Sequence, residues 1–147
     1  MQIIWIGLIV AIIDQISKNI VVSSLKPHQS IPIIQNIFHL TYVQNTGAAF
    51  SMLRGKTYFF ILVSSLIIIA IIYFAHKIPK EKRLLRMMLG FVLGGATGNL
   101  IDRVRLGFVV DFFDFRIWPV FNIADSAVVI GMIVIAYYLI TDPELKF

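Results

Sequence analysis

Acidic residues cluster in one part of the sequence. Four of the eight acids, Asp102, Asp111, Asp114 and Asp125, lie within 24 residues of one another. The segment VVDFFDF surrounds two of them with valine and phenylalanine instead of the glycine, serine and lysine of an ordinary exposed loop. This pattern predicts a partly dry site. The alternative is a solvated loop in which the acids oppose nearby arginines.

Asp111 and Asp125 occupy contrasting environments. Partial burial raises the pKa of a carboxyl group, as expected for Asp111 in VVDFF, whereas free N–H groups in the first turn of a helix favour negative charge at Asp125. If the fold brings the two together, they can share one proton, and this is the chemistry of an aspartic protease. Our hypothesis is that Asp125 is the ionised partner and Asp111 the protonated one, although the proton belongs to the pair.

Other polar residues have plainer interpretations. Asn122 precedes Asp125 by three residues and is a candidate helix N-cap, so this pair could serve only to cap a helix. Asp14 and Lys18 are four residues apart, hence on one helical face, where mutual neutralisation is the simplest role. Arg103 could pair with Asp102 or bind a substrate carbonyl, and we expect the pair.

The elements that must position these residues are membrane-spanning helices. The chain of 147 residues is 59% hydrophobic with a mean hydropathy of +0.87. A helix needs about 20 predominantly apolar residues to cross a bilayer, and four segments approach that length. We place them at residues 3–24, 57–76, 84–101 and 122–140. In GGATGNLIDR, the glycines Gly94 and Gly98 allow another helix to approach closely.

Charge predicts the orientation of these spans. The net charge is +5, but five of the thirteen basic residues lie in the single loop KIPKEKRLLR, which makes it a topology signal instead of a nucleic-acid site. By the positive-inside rule this loop is cytoplasmic. Both termini are then cytoplasmic, and residues 25–56 and 102–121 lie on the outer side, the first of them as short strands. Cysteine is absent, and the three histidines lack the spacing of a zinc site.

Five motifs follow one another in the order DQISK, NTGAAF, GGATGNLIDR, VVDFF and FNIAD, and they cover most of the chain from residue 14 to residue 125. In this order they resemble the signal peptidase II family, the bacterial lipoprotein signal peptidases. The resemblance implies a mainly α membrane protein with four transmembrane helices, a small extracytoplasmic β-cradle and a short surface helix. It also implies an aspartic endopeptidase that removes the signal peptide of a prolipoprotein by cutting before a diacylglyceryl-modified cysteine.

The resemblance also assigns residues. Its catalytic aspartates fall on Asp111 and Asp125, and Asp114 matches no motif position, so it is withdrawn as a candidate. The residues implied to support the site or bind substrate are Asp14, Lys18, Asn45, Gly47, Ala49, Phe50, Asn99, Asp102, Arg103 and Asn122. We expect no cofactor and no metal, a single peptidase domain over residues 1–147, and a monomer in the bacterial inner membrane whose partners are the prolipoprotein and membrane lipid.

Two other classes of protein fit the same polar residues. A small transporter or proton-conducting subunit also keeps acids at membrane depth, although we would expect them deeper in the spans than these are. An accessory or scaffolding membrane protein is the second alternative. It would tolerate asparagine at each aspartate.

Overall fold

The computed structural model describes residues 1–47 and 55–141, which contain four long helices and three strands. In chain order these elements are α1 Gln2–Ser24, β1 Ser30–Ile34, β2 Phe38–Asn45, α2 Thr57–Phe74, α3 Arg83–Leu106, β3 Val109–Asp114 and α4 Ile123–Thr141. All four helices are long and apolar enough to cross a membrane. The predicted architecture of four spans and a small β-sheet is therefore confirmed, while the short surface helix does not occur within the two described ranges.

The third helix differs most from its predicted range. It continues to Leu106, five residues beyond the predicted end, so Asp102 and Arg103 belong to the helix and not to an outer loop. Gly107 ends it in the left-handed conformation, with φ 81°, and donates its N–H to the carbonyl oxygen of Arg103 at 3.1 Å. A glycine adopts this conformation without steric cost, so the helix ends at Gly107 and not at the first charged residue.

Helix α3 lies at the centre of the bundle and packs against each of the other three helices. Its glycines allow this close approach, as the sequence predicts. A methyl group on Gly94 would lie 2.5 Å from the carbonyl oxygen of Gly7 on α1, and one on Gly98 would overlap the carboxylate of Asp14. The glycine-rich stretch therefore brings the polar residues of α1 against those of α3.

The three strands form an antiparallel sheet in the order β1-β2-β3. In the pairing of β2 with β3, Val43 lies opposite Asp111 and Asn45 lies opposite Val109. The sheet is anchored to the end of α1 by a buried cluster made of Val21, Leu25, Tyr42, Val110 and Phe112. This anchoring fixes β3, and with it Asp111, relative to the helices.

Candidate active site

Asp111 and Asp125 line the same cavity, which has a volume of about 1010 Å³. Asp111 lies in the middle of β3 and is 1% exposed, while Asp125 lies in the first turn of α4 and is partly exposed. Most of the cavity wall below them consists of apolar side chains from α2, α3 and α4. The two carboxylates therefore stand at the polar end of an apolar cleft between membrane-spanning helices, and the solvated-loop alternative is wrong for Asp111.

Three asparagine side chains hold the two carboxylates. Asn45 and Asn122 donate from their Nδ2 atoms to the two oxygens of Asp111, at 2.9 and 2.7 Å. Asn99 donates from Nδ2 to Oδ1 of Asp125 at 2.7 Å. Every oxygen of Asp111 thus accepts an amide hydrogen bond, which fixes the carboxyl plane.

Each of these asparagines is oriented by a group that can act only as a hydrogen-bond donor. Oδ1 of Asn45 accepts the backbone N–H of Gly47 at 2.9 Å, and Oδ1 of Asn122 accepts that of Asp125 at 2.8 Å. Oδ1 of Asn99 accepts the ammonium of Lys18 at 2.9 Å. A backbone N–H and an ammonium can only donate. All three amide NH₂ groups are therefore directed at a carboxylate.

Asn122 also begins helix α4. Its side chain accepts the N–H of Asp125, and its own N–H donates to Oδ2 of Asp125 at 3.2 Å. This reciprocal arrangement is a capping box, in which two otherwise free N–H groups are satisfied. The capping interpretation of the sequence is correct, but it is incomplete because the same Asn122 also bonds Asp111.

A second buried polar cluster lies behind Asn99. The Lys18 ammonium lies 2.8 Å from Asp14 and 2.9 Å from Asp102, and all three residues are at most 3% exposed. Asp14 accepts the backbone N–H of Ala124 at 2.9 Å, and Asp102 accepts that of Val110 at 3.0 Å. The cluster therefore fixes the two segments that carry the site carboxylates, since Ala124 precedes Asp125 and Val110 precedes Asp111.

Arg103 does not make the expected pair with Asp102. Neighbouring helical residues do not face each other, so Asp102 points into the Lys18 cluster while Arg103 lines the cavity. The Arg103 guanidinium donates to the carbonyl oxygen of Gly47 at 3.3 Å and lies 4.9 Å from the ring centroid of Phe60. A positive charge therefore borders the cavity near both carboxylates.

Burial is the main electrostatic influence on Asp111. It raises the pKa of Asp111 from 3.8 to about 7; the neighbouring Asp125 carboxylate adds to the rise, and the bonds from Asn45 and Asn122 oppose it. Asp111 is therefore a carboxyl group that can hold a proton near neutral pH. The assignment of the shared proton to Asp111 and of the charge to Asp125 stays a prediction.

The carboxylate of Asp114 makes its hydrogen bonds outside the cavity. It lies at the other end of β3, where Thr41 donates to its carboxylate at 2.7 Å and the Arg116 guanidinium lies 3.0 Å away. Burial alone would raise its pKa, but the hydrogen bonds from Thr41 and Arg116 lower the pKa of Asp114 below its usual value. It is not among the residues that line the cavity.

The remaining predicted residues divide into two groups. Gly47 lines the cavity, while Ala49 and Phe50 lie outside the described residues. Sequence reasoning missed Gln15, whose amide donates to Asp102 at 2.8 Å and to the carbonyl oxygen of Gly98 at 3.1 Å. Its position inside DQISK is the signal that the sequence offers for Gln15, but an uncharged amide is a weaker indication of a buried polar contact than the charged Asp14 and Lys18 of the same motif.

The fold and this site together define a class of protein. Two carboxylates held at the mouth of an apolar cleft between four membrane-spanning helices are the arrangement expected of a membrane aspartic peptidase.

Comparison with known proteins agrees with this class. The family described as signal peptidase (SPase) II matches residues 6–141. The lipoprotein signal peptidase of Moorella thermoacetica is 48% identical over 140 residues, covering 95% of this chain and 93% of that protein. The lipoprotein signal peptidase of Caldanaerobacter subterraneus is 51% identical over 132 residues, covering 89% and 90% respectively.

A solved structure of a bacterial membrane enzyme, determined by the in meso method at 2.3 Å resolution, also has this fold. It superposes with a TM-score of 0.89 at 38% sequence identity and covers 99% of this chain and 91% of that one. The chain belongs to the signal peptidase II family. It is therefore a multi-pass membrane peptidase that processes prolipoproteins, and the transporter and scaffold alternatives are wrong.

Proposed function

We propose that Asp111 and Asp125 are the catalytic pair, and that the bond cut is the one before a diacylglyceryl-modified cysteine. The observation that carries this proposal is that Asn122 bonds both residues while both line one cavity. One peptidase domain, residues 1–147, supplies the whole site. The hydrolysis uses no cofactor.

The two carboxyl groups have different tasks in the proposed reaction. Asp125 is ionised and takes a proton from a water molecule, which attacks the scissile carbonyl carbon. Asp111 is protonated and donates to the carbonyl oxygen as the tetrahedral intermediate forms. As the intermediate breaks down, Asp125 gives its proton to the leaving nitrogen, and Asp111 takes back the proton from the hydroxyl that becomes the new carbonyl oxygen. The pair therefore ends the cycle with the single proton it began with, again on Asp111. Arg103 supplies positive charge beside the developing negative charge.

The shape of the cavity supports a lipidated substrate. Its polar end has carboxylates, amides and a guanidinium, which suit a peptide backbone, whereas its long apolar wall suits a hydrocarbon chain. A cysteine that carries a diacylglyceryl group has both parts, joined at the residue next to the cut bond. We therefore assign the polar end to the peptide and the apolar wall to an acyl chain.

A comparison of two substrates tests the proposal. We expect the purified protein to cut a diacylglyceryl-modified prolipoprotein at least about 100-fold faster than the same chain without the lipid, because the lipid positions the scissile bond. Mass spectrometry of the products gives the cut site, which should leave the lipidated cysteine as the new N-terminus. Equal rates for the two substrates would contradict the proposed specificity.

We further propose that the site faces the outer side of the bacterial inner membrane and that both termini are cytoplasmic. The basic loop between α2 and α3 lies at one end of the bundle and the site residues at the other. By the positive-inside rule the loop is cytoplasmic. A monomer suffices for this arrangement, because all the carboxylates and asparagines of the site come from one chain.

The absence of cysteine from the sequence allows a direct test of this orientation. In intact cells, a membrane-impermeant maleimide should label Ile117→Cys, at a position that is 94% exposed on the site side. It should label Lys80→Cys in the basic loop only after the membrane is permeabilised. The reverse pattern would show that the site is cytoplasmic.

A further inference from the structure

A second cavity, of about 330 Å³, lies deeper in the bundle than the site. All of its lining residues are apolar and come from α2, α3, α4 and the loop after α2. Four of them, Ala70, Ile71, Leu89 and Ile135, also line the larger cavity that contains Asp111 and Asp125. The two cavities therefore adjoin along these residues, and we call them together the apolar trough.

The trough is longer than one leaflet of a membrane. On α4 it extends from Asp125 to Leu139, and on α3 from Asn99 to Leu85, and each distance is 14 residues. At about 1.5 Å per residue this is about 21 Å. The hydrocarbon of one leaflet is only about 15 Å thick, as half of a core of about 30 Å. A chain attached at the site can therefore lie extended in the trough beyond the middle of the bilayer.

The far end of the trough has a floor. Ile78, in the loop after α2, is only 6% exposed, although no residue of α2 itself is buried. The Arg86 guanidinium donates to the carbonyl oxygens of Ile78 at 2.8 Å and Ala75 at 3.3 Å, and this holds the loop against the bundle. Ile78 and the buried Leu85 both line the inner cavity. The Ile78 side chain therefore limits the trough at the end remote from the site, and the hydrogen bonds from Arg86 hold the loop that carries it in place.

We propose that the inner cavity receives the end of one acyl chain of the diacylglyceryl substrate, and that Ile78 limits the chain length that fits. This inference rests on the proposed substrate. The inner cavity, of about 330 Å³, is lined by apolar side chains from three helices and one loop, which suits the end of a hydrocarbon chain. Among the residues that the structure describes, its lining includes no polar side chain that would hold a lipid headgroup.

Contact with the site cavity favours the substrate's own chain over a free lipid. The inner cavity adjoins the cavity that contains the carboxylates, so a chain attached to the substrate there can extend directly into it. Since the surrounding lipid is already apolar, a chain gains no hydrophobic free energy by entering the trough. Selection among chains must therefore come from how well the chain length fits the distance to Ile78. A chain that is too long has to bend, or it displaces the scissile bond.

The test uses prolipoprotein peptides whose diacylglyceryl chains range from about 12 to about 20 carbons, chosen to bracket the length of the trough. The ratio kcat/KM is measured for each in nanodiscs of one lipid composition. Ile78→Trp should reduce cleavage of the longest substrate about fivefold or more relative to the shortest, and Ile78→Ala should favour longer chains than the wild type does. Ile72→Trp is the matched control, because Ile72 is 52% exposed on α2 and does not line the trough.

The outcomes separate this inference from the proposed function. A length preference that moves in opposite directions in the two Ile78 variants, and not in Ile72→Trp, supports the floor. If lipidated peptides are cut but both Ile78 variants keep the wild-type length profile, the inference is wrong. If lipidated and unlipidated peptides are cut equally, the proposed substrate itself is wrong. Because the two Ile78 changes have opposite expected effects, misfolding of one leaves the other as a test.

Discussion

Replacing either Asp111 or Asp125 with asparagine is expected to reduce kcat by about 1000-fold or more, because the pair then lacks either its base or its acid. In Asp111→Asn the new NH₂ group also faces a donor, since Asn45 and Asn122 each donate to one of the two oxygens. Such a contact costs about 1–3 kcal/mol of stability. Rates on the lipidated prolipoprotein and the midpoint of thermal unfolding are measured together.

Asp114→Asn is the matched control for these variants. Asp114 lies on the same strand as Asp111, but its carboxylate bonds Thr41 and Arg116 and not the cavity residues. We expect it to keep near-wild-type kcat. The double variant of Asp111 and Asp125 should be no slower than the slower single variant, because residues that act as one unit lose their function together. An active Asp111→Asn or Asp125→Asn enzyme would eliminate the proposed pair.

Lys18→Met is expected to have the next largest effect, although Lys18 does not line the cavity. The change leaves the carboxylates of Asp14 and Asp102 buried without their cation, and breaking a buried pair in this way costs about 3–5 kcal/mol. It also removes the donor that orients Asn99 toward Asp125. Small displacements of a catalytic group can cost about 100-fold in rate.

Lys18→Met is expected to change kcat and KM to different extents. Since Lys18 acts through Asn99 on Asp125, kcat should fall while KM stays close to the wild-type value. Lys26→Met, which removes an exposed lysine beyond the end of α1, serves as the control. Wild-type kcat and an unchanged unfolding midpoint in Lys18→Met would show that the buried cluster does not position the site.

The sequence predicts the helices and the catalytic pair well for physical reasons. Uninterrupted apolar runs mark α2 and α4, because a charge within them would be expensive in lipid. The acids stand out for the same reason, since VVDFF places a carboxylate among side chains that exclude water. The resemblance then separates Asp111 from Asp114, which composition alone does not, and the different partners of these two residues in the fold are consistent with that separation.

The sequence predicts the contacts among the polar residues less well. The end of α3 depends on the conformation of Gly107, and a hydropathy window stops instead at the first charge. The partner of Asp102 depends on which face of α3 meets α1, so Lys18, remote in sequence, takes the place that adjacent Arg103 was expected to fill. The same helix packing brings Gln15 to Asp102. Such pairings require knowledge of helix rotation, which no local pattern in one sequence supplies.

The most direct test of the shared proton is a titration of Asp111 with and without its partner. The carboxyl band of Asp111 can be followed by infrared spectroscopy with carbon-13 aspartate and assigned by its loss in Asp111→Asn. In the wild type we expect the protonated form below a pH of about 7 and its loss above. In Asp125→Asn the pKa of Asp111 should fall, because the like charge that favours its proton is gone. A pKa of Asp111 that is the same in both proteins would contradict the account, because the two carboxyl groups would then not share a proton.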